Sequence, residues 1–196
     1  MAVNLESGNI VLRLWILLHR TRDVLRMCED PLFSAYGITT EQYAVLAAMK
    51  YSGSPLRVTD LAQSLERSPN SVSMIIDRMV EAGLVKRTRN TRDRRVVHVF
   101  ITSKGEAALK PATPAGFDFI QKILSSLSYN DKRTLARLLE IVKDKALEYL
   151  NPGVDVKELS KNSVTTKTDL MKRLVLYTLP SNPEAKRQGG KKRKTT

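Results

Sequence analysis

The chain has 196 residues, with 33 Lys plus Arg against 20 Asp plus Glu, a formal net charge of +13, and 42% hydrophobic residues. That length holds one core-forming domain, or one with an appendage, and the composition excludes a chain that is disordered throughout. The charge excess points to a polyanionic partner, nucleic acid or an anionic membrane surface, and is more than an acidic substrate pocket requires.

A single cysteine, Cys28, excludes an intramolecular disulfide and any paired-thiol zinc spacing, which fits a reducing cytoplasm. The apolar stretch 10–18 is interrupted by Arg13 and falls short of the roughly 20 residues of a membrane span. Glu6 precedes it and no small-residue cleavage site follows, so neither a membrane anchor nor a signal peptide is expected.

Val11, Leu14, Trp15, Leu18, Thr21, Leu25 and Cys28 recur at helical spacing and predict a long amphipathic helix over 10–29, ended by Pro31 and Gly37. Thr39, with Gln42 three residues on, opens a second helix whose buried stripe is Tyr43, Leu46, Ala47 and Met49. Gly53, Ser54 and Pro55 break it. Thr59 is the expected cap of a short third helix carrying Leu61, Ala62 and Leu65. Ser68, followed by Pro69 at the first helical position, opens a fourth. Val72, Ile75, Ile76 and Met79 fall at i, i+3, i+4 and i+7 and face the core. That leaves Asn70, Ser71, Ser73, Met74, Asp77 and Arg78 on or beside the outer face, and Gly83 closes the helix in a left-handed turn.

Residues 84–86 and 96–101 are rich in β-branched and aromatic types and predict a hairpin across a polar connector. From 86 to 95 it carries Lys86, Arg87, Arg89, Arg92, Arg94 and Arg95 against one acid, Asp93, a charge of +5 on a protruding ribbon. Thr102 caps a further helix through Leu109, after which Pro111, Pro114 and Gly116 predict a kink or short linker. Two amphipathic helices follow, over 117–127 and from a Ser128 cap with Asp131 through Leu135, Leu138, Leu139, Val142 and Ala146 to Leu150. Asn151, Pro152 and Gly153 stop the pattern. A short helix is expected over 170–179, and the end of the chain is basic and disordered. The segment from 151 onward holds 11 Lys plus Arg and four acids, so it supplies +7 of the total.

Helix, tight turn, polar-faced helix and basic hairpin in that order make a winged helix-turn-helix, so the fold class is mainly α with a small β-hairpin wing (α+β). The sequence resembles the MarR family of transcriptional regulators through ITTEQYAVLAAM (38–49), VTDLAQSL (58–65), NSVSMIIDRMVEAGLVKR (70–87), the D-x-R wing signature Asp93 and Arg95, and ITSKGEAAL (101–109). Met74 departs from the family, which often has a basic or polar residue there. A helix with short polar side chains fits the major groove, its N-terminus favours the phosphate backbone, and an arginine-tipped wing suits the neighbouring minor groove. The expected DNA-binding residues are therefore Ser68, Pro69, Asn70, Ser71, Ser73, Met74, Arg78, Arg92, Asp93, Arg94 and Arg95, with Asp93 orienting an arginine.

One such helix reads only a few base pairs, so two copies are needed about 34 to 36 Å apart, one DNA turn. The expected division is a dimerisation helix (1–37), a DNA-binding domain (38–110), further dimerisation helices (111–150) and a basic extension (151–196). The resemblance implies a homodimer and a small aromatic effector entering between the two regions, where Trp15, Tyr36 and Tyr43 are the candidate lining. It also raises redox sensing at Cys28. That residue lies on the apolar stripe near a helix C-terminus, where the dipole raises a thiol pKa, so a buried inert thiol is expected. His19 and His98 stand apart from any ligand cluster, and no nucleophile elbow or phosphate loop is present, so no metal, cofactor or enzyme activity is expected. The expected function is a cytoplasmic DNA-binding regulator, a repressor, with an architectural or RNA-binding winged-helix protein as the alternative and protein docking as a third class.

Overall fold

The computed structural model describes residues 5–53, 55–89 and 97–153. Their order is α1 (Leu5–Ser34), α2 (Thr40–Ser52), β1 (Leu56–Arg57), α3 (Val58–Ser64), α4 (Pro69–Glu81), β2 (Val85–Arg89), β3 (Val97–Ile101), α5 (Ser103–Ile123) and α6 (Tyr129–Leu150). Four helices start where a hydroxyl can replace a missing backbone partner. Thr39 accepts from Gln42 N at 3.2 Å, Ser68 from Ser71 N at 3.2 Å, Thr102 from Gly105 N at 3.1 Å and Ser128 from Asp131 N at 3.2 Å. Gln42 and Asp131 return the bond to the cap's own N–H, at 2.9 and 3.2 Å, completing two capping boxes.

The third helix starts differently from the expectation. Its cap is Arg57, not Thr59, because Asp60 accepts from the Arg57 backbone N–H at 3.2 Å and from its guanidinium at 3.1 Å. Burial works to raise the Asp60 pKa, but the bonds from Arg57 outweigh it and leave the carboxyl below its usual range. Residues 56–57 also form a short strand that the sequence did not suggest. It pairs antiparallel with β3, giving the sheet order β1-β3-β2, with Leu56 opposite Val99 and Arg87 opposite Val99 from the other side.

Prolines mislead at three places. Pro31 lies inside α1, which runs on to Ser34, and α5 passes through Pro111 and Pro114 unbroken, so no linker divides it and the helix expected over 117–127 is its second half. A proline strands the carbonyl four residues earlier. Here those carbonyls belong to Met27, Ala107 and Lys110, exposed residues like the three prolines, so each lost bond falls on the solvent side of its helix rather than in the core. Opposite Pro111 and Pro114, Leu109, Ala112, Thr113 and Gly116 are buried and hold the helix to the core.

The core gathers Leu46 and Met49 of α2, Leu61 of α3, Ile76 and Met79 of α4, Leu84, Val85 and Val99 around the sheet, and Leu109 of α5, all at most 2% exposed. Each large side chain so buried contributes about 2 kcal/mol of transfer free energy. Phe33 is the one buried residue of α1 among its described side chains, and α6 has none. Cys28 accordingly lies exposed on α1 rather than buried, because none of the described residues covers the stripe that carries it. The helix expected over 170–179 and the rest of the basic extension lie outside the described residues.

One close approach joins the hairpin to its neighbours. The Thr102 hydroxyl donates to the Gly83 carbonyl at 2.7 Å, with the Leu84 carbonyl at 3.0 Å, and Lys104 Nζ donates to the Ala82 carbonyl at 2.8 Å. Gly83 takes φ of +70°, as its expected role requires. A Cβ at Gly105 would lie 2.2 Å from the Leu84 carbonyl oxygen. Replacing Gly105 with Ala should therefore lower stability by on the order of 3 kcal/mol, read as a fall in the urea midpoint.

At the meeting of α1, α2 and α5, Tyr43 stacks on Phe33 with ring centroids 4.2 Å apart and hydrogen-bonds Thr113. Burial pushes the Tyr43 phenol above its usual range, and the bond to Thr113 only partly offsets this. The folded chain thus keeps the proton after the unfolded chain has lost it, so this contribution is intact below about pH 10 and declines as pH rises beyond it. Tyr43→Phe should flatten the loss of stability above about pH 10 in denaturant titrations run at stepped pH.

Candidate nucleic-acid interface

At 100° per residue, the buried positions Val72, Ile76 and Met79 define the inner side of α4 and leave an outer side in three parts. Asn70 and Met74 form the crest, Met74 being 58% exposed. Ser71, Met74 and Arg78 border a cleft of about 280 Å³ toward α1 and α2, which Arg26, Thr39, Glu41, Gln42, Arg67 and Ile75 complete. Ser73 and Asp77 form the flank toward β2, where Arg87 donates to the Asp77 carboxylate and to Ser73, whose Oγ lies 3.3 Å and carbonyl 3.4 Å from Arg87 Nη2. The other end of α4 is also prepared for an anion: Ser68 and Pro69 are exposed at its N-terminus, and Arg67 lines the cleft beside it.

Of the expected DNA-binding residues, Asn70, Ser71, Ser73, Met74 and Arg78 are thus brought to the outer side of α4, and Ser68 and Pro69 to its N-terminal end. Ser73 alone is half-buried and engaged by another side chain. Arg92, Asp93, Arg94 and Arg95 lie outside the described residues. Lys86 at the wing root sits over the Phe100 ring, 5.8 Å from its centroid, a cation–π contact that holds it to the sheet. Three participants were not singled out from sequence: Arg67, Arg26 and the Asp77–Arg87 pair. Arg67 directly precedes the Ser68 cap and Arg26 pairs with Glu41 across α1 and α2, but neither spacing marks a site until the elements are packed.

The candidate effector aromatics do not come together. Trp15 is 60% exposed on α1, edge-on to His19, whereas Tyr36 and Tyr43 pack half-buried against the core. None of the three lines the cleft beside α4. A neighbouring cleft shares Arg26, Thr39, Glu41 and Gln42 and likewise contains none of them.

Residues 36–96 match the model of the MarR family. MgrA of Staphylococcus aureus, an HTH-type transcriptional regulator, is 31% identical over 123 residues, 63% of this chain and 82% of MgrA. The chain belongs to the MarR family. MdtR of Bacillus subtilis, an HTH-type transcriptional repressor, is 31% identical over 102 residues, which span 52% of this chain and 65% of MdtR, a little under two thirds. Among solved MarR-family structures, a cysteine-to-serine mutant of MarR from E. coli, complexed with operator DNA, superposes with a TM-score of 0.62 at 26% identity over 68% of this chain and 96% of that one. The regulator RdhR-CbdbA1625 shares the fold with a TM-score of 0.71 at 18% identity over 78% of this chain and 90% of that one. Curated MarR relatives are transcriptional regulators, not enzymes, and α3 and α4 with the β2–β3 hairpin form the winged helix-turn-helix of that family. No helix among the described residues is long and apolar enough to cross a membrane.

Arg78, exposed at the edge of the crest, has no carboxylate partner among the ion pairs of the described residues. Arg78→Ala should weaken duplex binding and flatten the dependence of log affinity on log salt by about 0.9 for each copy bound, as read by fluorescence anisotropy at stepped salt.

Proposed function

We propose that this MarR-family protein is a homodimeric transcriptional repressor that occupies a pseudo-palindromic duplex site and is released by a small aromatic effector. The observation that carries the reading is the exposed outer side of α4, with Asn70, Ser71 and Arg78, next to the β2–β3 hairpin, together with apolar faces of α1, α5 and α6 that no other described residue covers. Ile10, Leu14, Leu17, Ile120, Leu138 and Val142 are all more than 40% exposed. A second copy that covers them buries that surface and sets two α4 helices side by side, which matches successive major grooves about 34 Å apart. Residues 1–37 and 111–150 would then hold the dimer, 38–110 would read DNA, and 151–196 would add backbone affinity that falls with salt.

The cleft beside α4 suits the effector part of the reading. Arg67 and Arg78 supply cations, Arg26 being paired with Glu41 in the same wall, and Met74 and Ile75 supply an apolar wall, a combination fit for a small aromatic anion at the Arg67–Arg78 side. Its walls include residues expected to face DNA, so an occupant and a duplex would compete. RdhR-CbdbA1625 was solved with 2,4-dichlorophenol, which makes phenols a reasonable first class to try.

Selection of bound duplexes from a random pool at two salt concentrations tests the reading. The expected product is a two-fold sequence with half-sites one helical turn apart. Arg94→Ala with Arg95→Ala should lower affinity across all selected sequences, whereas Asn70→Ala should change the selected bases. Truncation after residue 180 should spare the specific site. An architectural or RNA-binding protein would instead lose most of its affinity on truncation, and a docking module would select no duplex.

A further inference from the structure

Arg87 is one of the six cations of the hairpin, yet in the folded chain it turns away from the wing and back onto α4. Its guanidinium donates to Asp77 through Nη1 and faces Ser73 through Nη2, 3.3 Å from Oγ and 3.4 Å from the carbonyl oxygen. Arg87 is about one third exposed and Asp77 about half. Ser73 and Asp77 are four residues apart and therefore share one flank of the helix. Asp77 is also the one acid on the outer side of α4 between its N-terminus and Arg78.

Each charge alone works against selective DNA reading. An unpaired carboxylate on a helix in the groove is repelled by phosphates. An unpaired arginine at the wing root reaches phosphate oxygens on any sequence and adds affinity without information. Paired, they cancel, and the guanidinium also occupies a lone pair of the Ser73 hydroxyl. A serine hydroxyl has one hydrogen, and with its oxygen engaged by a cation that hydrogen is left to be donated. The complementary base-edge groups are acceptors, such as guanine O6 and N7 or thymine O4.

We propose that Asp77 is a positioning residue for DNA reading: its carboxylate holds Arg87 against α4, keeps that cation off the phosphate backbone and presents the Ser73 hydroxyl to the groove as a donor. The inference rests on the DNA-binding reading above. It goes beyond that reading by assigning an acidic residue the task of limiting nonspecific affinity.

The test measures binding of the full chain to its selected duplex and to a scrambled duplex at stepped salt. Asp77→Asn should free Arg87, raise affinity for the scrambled duplex several-fold at low salt, and steepen the slope of log affinity against log salt by about 0.9 per copy bound. The steepening should vanish in the double variant Asp77→Asn with Arg87→Gln, and Asp77→Glu should restore wild-type behaviour. The base position relaxed by Ser73→Ala should be relaxed by Asp77→Asn as well. A slope unchanged in Asp77→Asn, a steepening that persists without Arg87, or a Ser73-dependent base that Asp77→Asn leaves untouched overturns the inference alone. A wild-type chain that selects no duplex overturns the DNA-binding reading and this inference with it.

Discussion

The packing of Gly105 against the Leu84 carbonyl is the constraint from which the rest of the DNA-facing side follows. It leaves no room for a side chain, so the start of α5 lies directly on the turn that ends α4 and begins β2. Thr102 then serves two elements at once: its oxygen caps α5, and its hydrogen bonds the Gly83 carbonyl at the end of α4. Lys104 adds a charge-assisted bond to the Ala82 carbonyl, one of the last of that helix. With both ends of the hairpin tied to the close of α4, the angle between helix and wing is set by backbone geometry. That angle is what places Arg87 of β2 within reach of Ser73 and Asp77.

A second constraint is the uneven distribution of buried apolar surface. Among the described residues, the buried apolar side chains of the core all fall between Phe33 and Ala112. The long terminal helices contribute little to it and keep large apolar side chains in water. Beyond the apolar anchor of Leu32 and Phe33 at the end of α1, polar links join the ends to the middle: Arg26 with Glu41, the Thr40 hydroxyl donating to Asp30 at 2.6 Å, and Lys143 3.8 Å from Glu66 in the turn before α4. Exposed ion pairs of this kind contribute about 0 to 1 kcal/mol each. Such exposed links add little rigidity between the terminal helices and the core.

How far the fold could be read from residue order depended on the range of the interaction concerned. Thr39, Ser68, Thr102 and Ser128 were legible as caps because a hydroxyl and an N–H three residues on meet through local geometry alone. The inner stripe of α4 was legible for the same reason. Thr59 misled because the decisive partner was a carboxylate, Asp60, bonding back to Arg57. The prolines misled because their cost depends on whether the stranded carbonyl meets water or core, and only packing assigns the faces. The strand at 56–57 has two residues and is defined wholly by β3 beside it.

From residue order came the winged architecture, the polar helix that faces outward and the concentration of positive charge around it, since each follows from periodicity and composition over a few turns. Packing settled something narrower: which of those polar groups stand free. Asn70 and Met74 rise at the crest, Ser71 and Arg78 turn toward a cleft, and Ser73 is claimed by an arginine fourteen residues downstream. Side chains that far apart meet only after helix and strand have been set at a particular angle. That angle comes from a backbone contact for which no local pattern of residues codes.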